Sequence, residues 1–234
     1  AEALHYALDA ALPSQNWSVG LNGNYIYVVH STGQYFEASC TDSNGGRNLT
    51  MTARDVQSFA DLPNYAVEGF TVRVVCNKEQ SEDDYYVRFH KTNPSQPFTL
   101  GPGTWVETAK PGVLSTIDER TMPFALNRYQ DTDGSVTGTV GKIYFRLEAV
   151  NWAERECGDD TSNPIPSFVG RSLSDIYAHR NRLGFLSDTN VILSQSGDYV
   201  NFWRSTTQTV LDSDPIDVSV SHPRIAILRH AVQF

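Results

Sequence analysis

Long hydrophobic runs are missing from this 234-residue chain: no stretch of eighteen apolar residues occurs, which excludes a membrane-spanning helix. Cysteine is scarce. Cys40, Cys76 and Cys157 lie far apart, with no Cys-x-x-Cys pair and no histidine at metal-ligand spacing, so a disulfide framework is excluded and free thiols made in a reducing cytoplasm are expected. Ala1 to Leu12 has no basic region followed by a hydrophobic stretch and a cleavage site, and no intact signal peptide is expected. The histidines, at positions 5, 30, 90, 179, 222 and 230, form no i, i+4 pair and no His-Glu-x-x-His, which leaves a zinc site without support. No Gly-x-Ser-x-Gly elbow is present and Ser194 falls inside an apolar strand pattern, so a serine hydrolase cannot be argued. Gly101-Pro102-Gly103 carries a proline where a phosphate loop needs a donor amide, and no Lys-Ser/Thr pair follows it; nucleotide chemistry is not expected. Positive charge is in deficit, 18 basic against 27 acidic residues for a net −9. That balance opposes holding DNA, RNA or an anionic membrane over the whole surface.

What is present is an ordinary globular composition, 40% apolar and 19% charged with 16 glycines and 11 prolines, in a chain long enough to bury a real core. Leu4, Leu8, Ala11 and Leu12 share a helical face, so a short amphipathic helix opens the chain and Pro13 stops it. The period then changes to two. Asn16 to Leu21, Tyr25 to His30 and Gln34 to Cys40 are rich in aromatic and β-branched residues and are separated by Asn22-Gly23 and Thr32-Gly33, the pattern of a β-meander. Asp55 to Leu62 has room for a turn or two of helix before Pro63. Phe70 to Cys76 and Tyr85 to Lys91 predict a hairpin across an acidic loop, and Thr104 to Thr108 and Lys142 to Glu148 predict further strands.

Gly, Asp, Asn, Thr, Ser and two prolines crowd Gly158 to Pro166, which marks a domain boundary near that point. Beyond it, Ser172 to Tyr177, Arg182 to Leu186, Asn190 to Ser194, Tyr199 to Trp203 and Ile225 to Val232 are short strand patterns parted by turn residues. Strands at this spacing suit a sandwich, barrel or propeller blade better than a parallel α/β sheet.

Three constellations could carry chemistry. Asp131-Thr132-Asp133-Gly134 has the rhythm of a calcium loop but lacks its later ligands and closing glutamate, so a plain turn is the favoured reading. Asp212, Asp214 and Asp217 could pair as acid and base for glycoside cleavage, which needs carboxylates about 5–9 Å apart; the favoured alternative is that they cap a turn or pair with arginines. Arg171, His179, Arg180 and Arg182 make the one dense basic cluster. It could grip phosphate, but no stacking aromatic interleaves, which favours guanidinium forks on loop carbonyls and on Asp175, Asp188 or Asp212. Trp17, Trp105, Trp152 and Trp203 could form a sugar platform or fill β cores.

From Trp105 the wording becomes specific. Trp105-Val106-Glu107-Thr108-Ala109-Lys110-Pro111-Gly112, Thr121-Met122-Pro123, Gly158-Asp159-Asp160 with Asn163-Pro164, and Pro166-Ser167-Phe168-Val169-Gly170 resemble the tail tubular protein B family, the tail nozzle proteins of short-tailed bacteriophages. The resemblance continues through Arg180-Asn181-Arg182-Leu183-Gly184-Phe185-Leu186, Asn190-Val191-Ile192-Leu193-Ser194, Tyr199 with Asn201-Phe202-Trp203, and Asp212-Ser213-Asp214-Pro215-Ile216-Asp217-Val218. Phe59-Ala60-Asp61-Leu62-Pro63 and Tyr85-Tyr86-Val87 extend it more loosely to the first hundred residues. At Phe124 the chain departs from the histidine of the family pattern, so no role is carried over to that side chain.

The resemblance implies a virion protein of the phage tail, made and assembled in the host cytoplasm. It implies a subunit of a six-fold ring below the portal and its adaptor, supporting tail fibres and giving double-stranded DNA a non-specific exit channel. It implies no catalytic, cofactor-binding or metal-ligating residue and no cofactor. Family members are much longer, which makes this chain a fragment from the N-terminal half. The expected fold is mainly β: a platform-like antiparallel β domain with a short N-terminal helix over residues 1–158, then the first strands of a propeller-like β domain over 159–234. The alternative is a glycan-binding or glycan-hydrolysing tail module, motivated by Asp212, Asp214, Asp217 and the tryptophans.

Overall fold

The computed structural model describes residues 1–32, 36, 38–76, 84–95, 99–221 and 227–232. The chain is mainly β and divides into two compact units, Ala1–Pro111 and Gly112–Phe234. Trp152, before the 158/159 point marked by the sequence, and Phe168 and Phe185, after it, share one core in the second unit.

In the first unit, helix α1 (Glu2–Ala11) ends where Leu12 turns extended ahead of Pro13, because the residue before a proline is pushed out of the helical region. None of its residues is buried. Strands β1 (Trp17–Asn22) and β2 (Tyr25–His30) pair antiparallel, Asn22 opposite Tyr25. Gly23 takes φ +60 in the two-residue turn between them, a conformation glycine adopts without steric cost. The third strand expected at Gln34 to Cys40 falls partly outside the described residues; Phe36 and Ala38 to Cys40 belong to no strand.

A five-stranded sheet follows, in the order β3 (Asp55–Val56), β5 (Thr71–Val74), β6 (Tyr85–Lys91), β7 (Gly101–Thr108), β4 (Tyr65–Ala66). All its pairs are antiparallel except β3 with β5. Of the turn or two of helix that Asp55 to Leu62 could hold, the structure has a single 3₁₀ turn, Phe59–Asp61, whose amide at Ala60 is capped by Ser58, with β3 before it. Strict alternation on β5 and β6 sends Val72, Val74, Val87 and Phe89 inward, as a half-buried sheet requires. Trp105 closes this core edge-on to Phe70 and Phe89, and its indole N–H donates to the Pro63 carbonyl at 2.9 Å. Lys91 holds the next inward position. Its stem lies over Gly101, where a Cβ would fall 2.7 Å from Lys91 Cε, and its ammonium donates to the Thr99 carbonyl at 2.9 Å.

The second unit holds a two-stranded hairpin, β8 (Ala125–Gln130) with β9 (Ile143–Glu148). It also holds a four-stranded antiparallel meander ordered β10 (Asp175–His179), β11 (Arg182–Ser187), β12 (Asn190–Leu193), β13 (Ile216–Ser219). The β10–β11 turn uses Arg180 and Asn181, both at positive φ. Tyr199 hydroxyl donates to the Asn181 side chain at 2.7 Å, and the Gly197 amide donates to its carbonyl; these contacts hold a backbone shape that glycine would adopt more cheaply.

Tyr199 to Trp203 is not the strand expected. Asp198 accepts from the Val200 amide and Asn201 from the Trp203 amide, local bonds that compete with sheet pairing. The segment turns, and Phe202 and Trp203 enter the core instead. Ile225 to Val232 was also expected as a strand; residues 225 and 226 lie outside the described set, and 227–232 form none. The core is aromatic: Phe185 stacks on Phe202 at 5.0 Å, and Phe168 meets both edge-on. Trp152, Met122, Ile117, Ile192 and Trp203 complete it. Much of this wall comes from loops. Trp203 is tied down by its indole N–H to the Ala153 carbonyl, with the fully buried Arg155 side chain over its ring.

Candidate functional site

Asp131, Asp214 and Arg182, three of the residues singled out for chemistry, are buried and bonded to backbone, whereas Asp212, Asp217 and Arg171 stay exposed. Asp131, 2% exposed, accepts from the amides of Gly134, Val136 and Thr137 and from the Thr137 hydroxyl, all within 3.1 Å. This is the geometry of a loop folded round one carboxylate; a calcium loop would turn its oxygens toward a shared centre. The Thr137 amide above all, with the other donors, holds the Asp131 carboxyl down at about 2. Because the folded pKa lies below the unfolded one, the stabilisation is complete above pH about 4 and is lost as pH falls through about 2. A carboxyl-detected NMR titration should give a midpoint near 2 for Asp131; a midpoint near 4 would mean that the loop donors are not engaged. Asp42 is built the same way, accepting from Asn44, Gly46, Asn48 and Leu49 amides, and its pKa is likewise lowered.

Asp212, Asp214 and Asp217 do not form an acid–base pair facing a common cleft. Asp217 receives the amide and hydroxyl of Ser167, both at 2.7 Å, and the Asn190 side chain. Asp214 is buried, takes the Leu211 amide at 2.9 Å and lies 3.6 Å from the Arg204 guanidinium. The four tryptophans are likewise divided. Trp17 and Trp105 lie in the first unit, while Trp152 and Trp203, 7% and 1% exposed in the second, offer no open ring face.

The basic cluster divides too. Arg182 is buried, its guanidinium forking onto the carbonyls of Ser194, Asp214 and Asp212, each at 2.7 Å. Arg171 faces Asp188 at 3.4 Å, beside a cavity of about 340 Å³ that Thr121, Met122, Phe168 and Leu173 help to line. Cys157 is buried against the Arg204 carbonyl. Among the described residues no three His, Cys, Asp or Glu side chains are disposed to hold a metal ion, and no helix is long and apolar enough to cross a membrane.

The surface that stands out was not singled out by the sequence: the β8–β9 hairpin. Cross-strand pairing places Asn127, Tyr129, Tyr144, Arg146 and Glu148 on one face. That face carries its own network. Asn127 and the Tyr129 hydroxyl both donate to Glu148, Tyr129 stacks on Tyr144, and Arg146 lies over both rings. The bonds from Asn127 and Tyr129 lower the Glu148 pKa, and the bond to Glu148 raises that of Tyr129. The other face presents Leu126, Phe145, Leu147 and Ile143, between 43% and 69% exposed, with Arg128 among them. Period-two alternation in Ile143 to Glu148 was the available signal. Its partner strand, with Asn127, Arg128 and Gln130, has little apolar patterning to announce it.

What these sites can do is position chain and offer surface. The bacteriophage nozzle protein family model matches residues 1–234. The chain is 36% identical over 220 residues to the tail tubular protein gp12 of Escherichia phage T7, covering 94% of this chain and 25% of that protein. It therefore spans about a quarter of that relative's length. A scaffold of short strands and carboxylate-locked loops, matched along its whole length by one family, identifies the chain as a member of the bacteriophage nozzle protein family.

Proposed function

We propose that this chain is a structural segment of a phage tail nozzle, whose copies form a six-fold ring below the portal and adaptor, carry the tail fibres and surround the path by which double-stranded DNA leaves. The observation that carries this reading is the family match along every residue of the chain. The meander β10–β13 supports it further, since a four-stranded antiparallel sheet is the unit from which propeller blades are built. On this reading residues 159–234 begin a propeller-like domain.

The electrostatics fit a conduit. A wall that neutralised many phosphates would hold DNA with a salt-dependent grip, whereas a net charge of −9 lets the polyanion slide. On this reading the role is mechanical, and the bonds of Asp131, Asp214 and Asp217 to loop amides and arginine support it. Assembly in the reducing host cytoplasm fits three cysteines that form no disulfide among the described residues. Cryo-electron microscopy of the full-length protein mixed with its tail adaptor should show a six-fold ring stacked on the adaptor ring. A protein that stays monomeric and does not bind the adaptor would overturn the reading.

A further inference from the structure

The open face of the β8–β9 hairpin needs a cover. A two-stranded hairpin is marginally stable alone, and Leu126, Phe145, Leu147 and Ile143 are 66%, 60%, 69% and 43% exposed. Together they leave on the order of 400 Å² of apolar surface in water, the size of patch that marks an interaction site and about half of what one partner contributes to a stable interface. The opposite face is polar: Asn127 and Tyr129 bond to Glu148, and Arg146 lies over the Tyr129 and Tyr144 rings.

A second surface of the same unit has matching properties. Strand β13 ends its sheet, all four of its residues are exposed, and Ile216 and Val218 are 40% and 52% so. They project to the same side, and Val210, 79% exposed, precedes them. Charge separates the two surfaces. Arg128 stands on the hairpin face, and Asp212 sits exposed just before β13; neither side chain has an ionic or hydrogen-bonded partner among the described residues.

We propose that the apolar hairpin face of one copy, with Arg128, docks on the β13 face of the next copy, with Asp212, in a head-to-tail contact repeated round the ring. The proposal rests on the nozzle reading above and names the contact that would build it. Two hairpin faces meeting across a two-fold axis would bring both Arg128 guanidinium groups into one apolar patch, two like charges out of water. Hairpin on β13 sets cation against carboxylate, and a heterologous contact of this kind closes into a ring when its rotation permits.

The test is a charge exchange in the 234-residue chain, read by sedimentation equilibrium. Wild type should associate with rising concentration. Arg128→Asp and Asp212→Arg should each weaken association at least tenfold, and the double variant should return to within about threefold of wild type, since only a direct pair is restored by exchange. Both side chains are exposed and unpaired, so melting temperatures should not move, and a variant with an unchanged melt is a folded one. A wild-type chain that remains monomeric, or a double variant as weak as the singles, overturns the contact. In the full-length ring, a photo-crosslinker replacing Phe145 should join β13 of a neighbouring copy. Crosslinking to the adaptor, to a fibre or within its own chain would overturn the contact while leaving the nozzle reading standing; absence of any ring would remove that reading itself.

Discussion

Arg182→Met should lower the unfolding free energy by about 3–5 kcal/mol, read by urea titration of tryptophan fluorescence. Arg182 is 8% exposed, and its guanidinium donates three bonds of 2.7 Å, to the carbonyls of Ser194, Asp214 and Asp212. Bonds from a charged donor contribute about 1.5–3 kcal/mol each, and removing the donor leaves the acceptors buried without partners. Methionine keeps most of the volume, so the loss reports the bonds and not a cavity. Arg182→Lys tests the geometry: a single ammonium cannot span three carbonyls as the planar fork does, and at least half of the loss should remain. A methionine variant within about 1 kcal/mol of wild type would show that these bonds do not hold the β11 end to the Asp212–Asp214 segment.

Phe185→Ala should cost about as much, roughly 3–5 kcal/mol, through a cavity and lost transfer energy. Phe185 is fully buried and touches three rings, Phe202 at 5.0 Å, Phe168 at 5.2 Å and Trp152 at 6.1 Å. All three come from segments outside the strands rather than from the meander. Its removal should therefore loosen the segments around 168 and 202 as well as the sheet, seen as lost near-ultraviolet circular dichroism along with a lower melting temperature. Phe185→Leu should cost under about 1.5 kcal/mol, because most of the volume stays. If alanine and leucine behaved alike, the ring stack would not be what joins sheet to loops.

Strands were legible where local chemistry and packing ask for the same thing. Tyr85 to Lys91 alternates as expected, because one face meets the core and one meets solvent. The turn expected at Asn22-Gly23 falls one residue on, at Gly23 and Asn24 between the paired β1 and β2. Strand β13 was not singled out, since Pro215 precedes it and Asp217 and Ser219 dilute its pattern. Its evidence is the register with β12, Leu193 opposite Ile216. The reverse error occurred at Tyr199 to Trp203, where aromatic and β-branched composition predicted a strand but Asp198 and Asn201 bond to nearby amides and turn the chain.

The sequence by itself determined the β class, the opening helix, most strand positions and, through its ordered blocks from Trp105 to Val218, the nozzle family. All of these depend on interactions within a few residues or on the literal order of residues. Only the tertiary structure decided what the acidic and basic groups do. Whether Asp131, Asp214 or Arg182 faces a ligand or a backbone depends on which distant amides and carbonyls arrive beside it. The same holds for the hairpin: a leucine or phenylalanine in a strand reads as core until the other elements are placed, and here no described element of its own unit buries Leu126, Phe145 and Leu147.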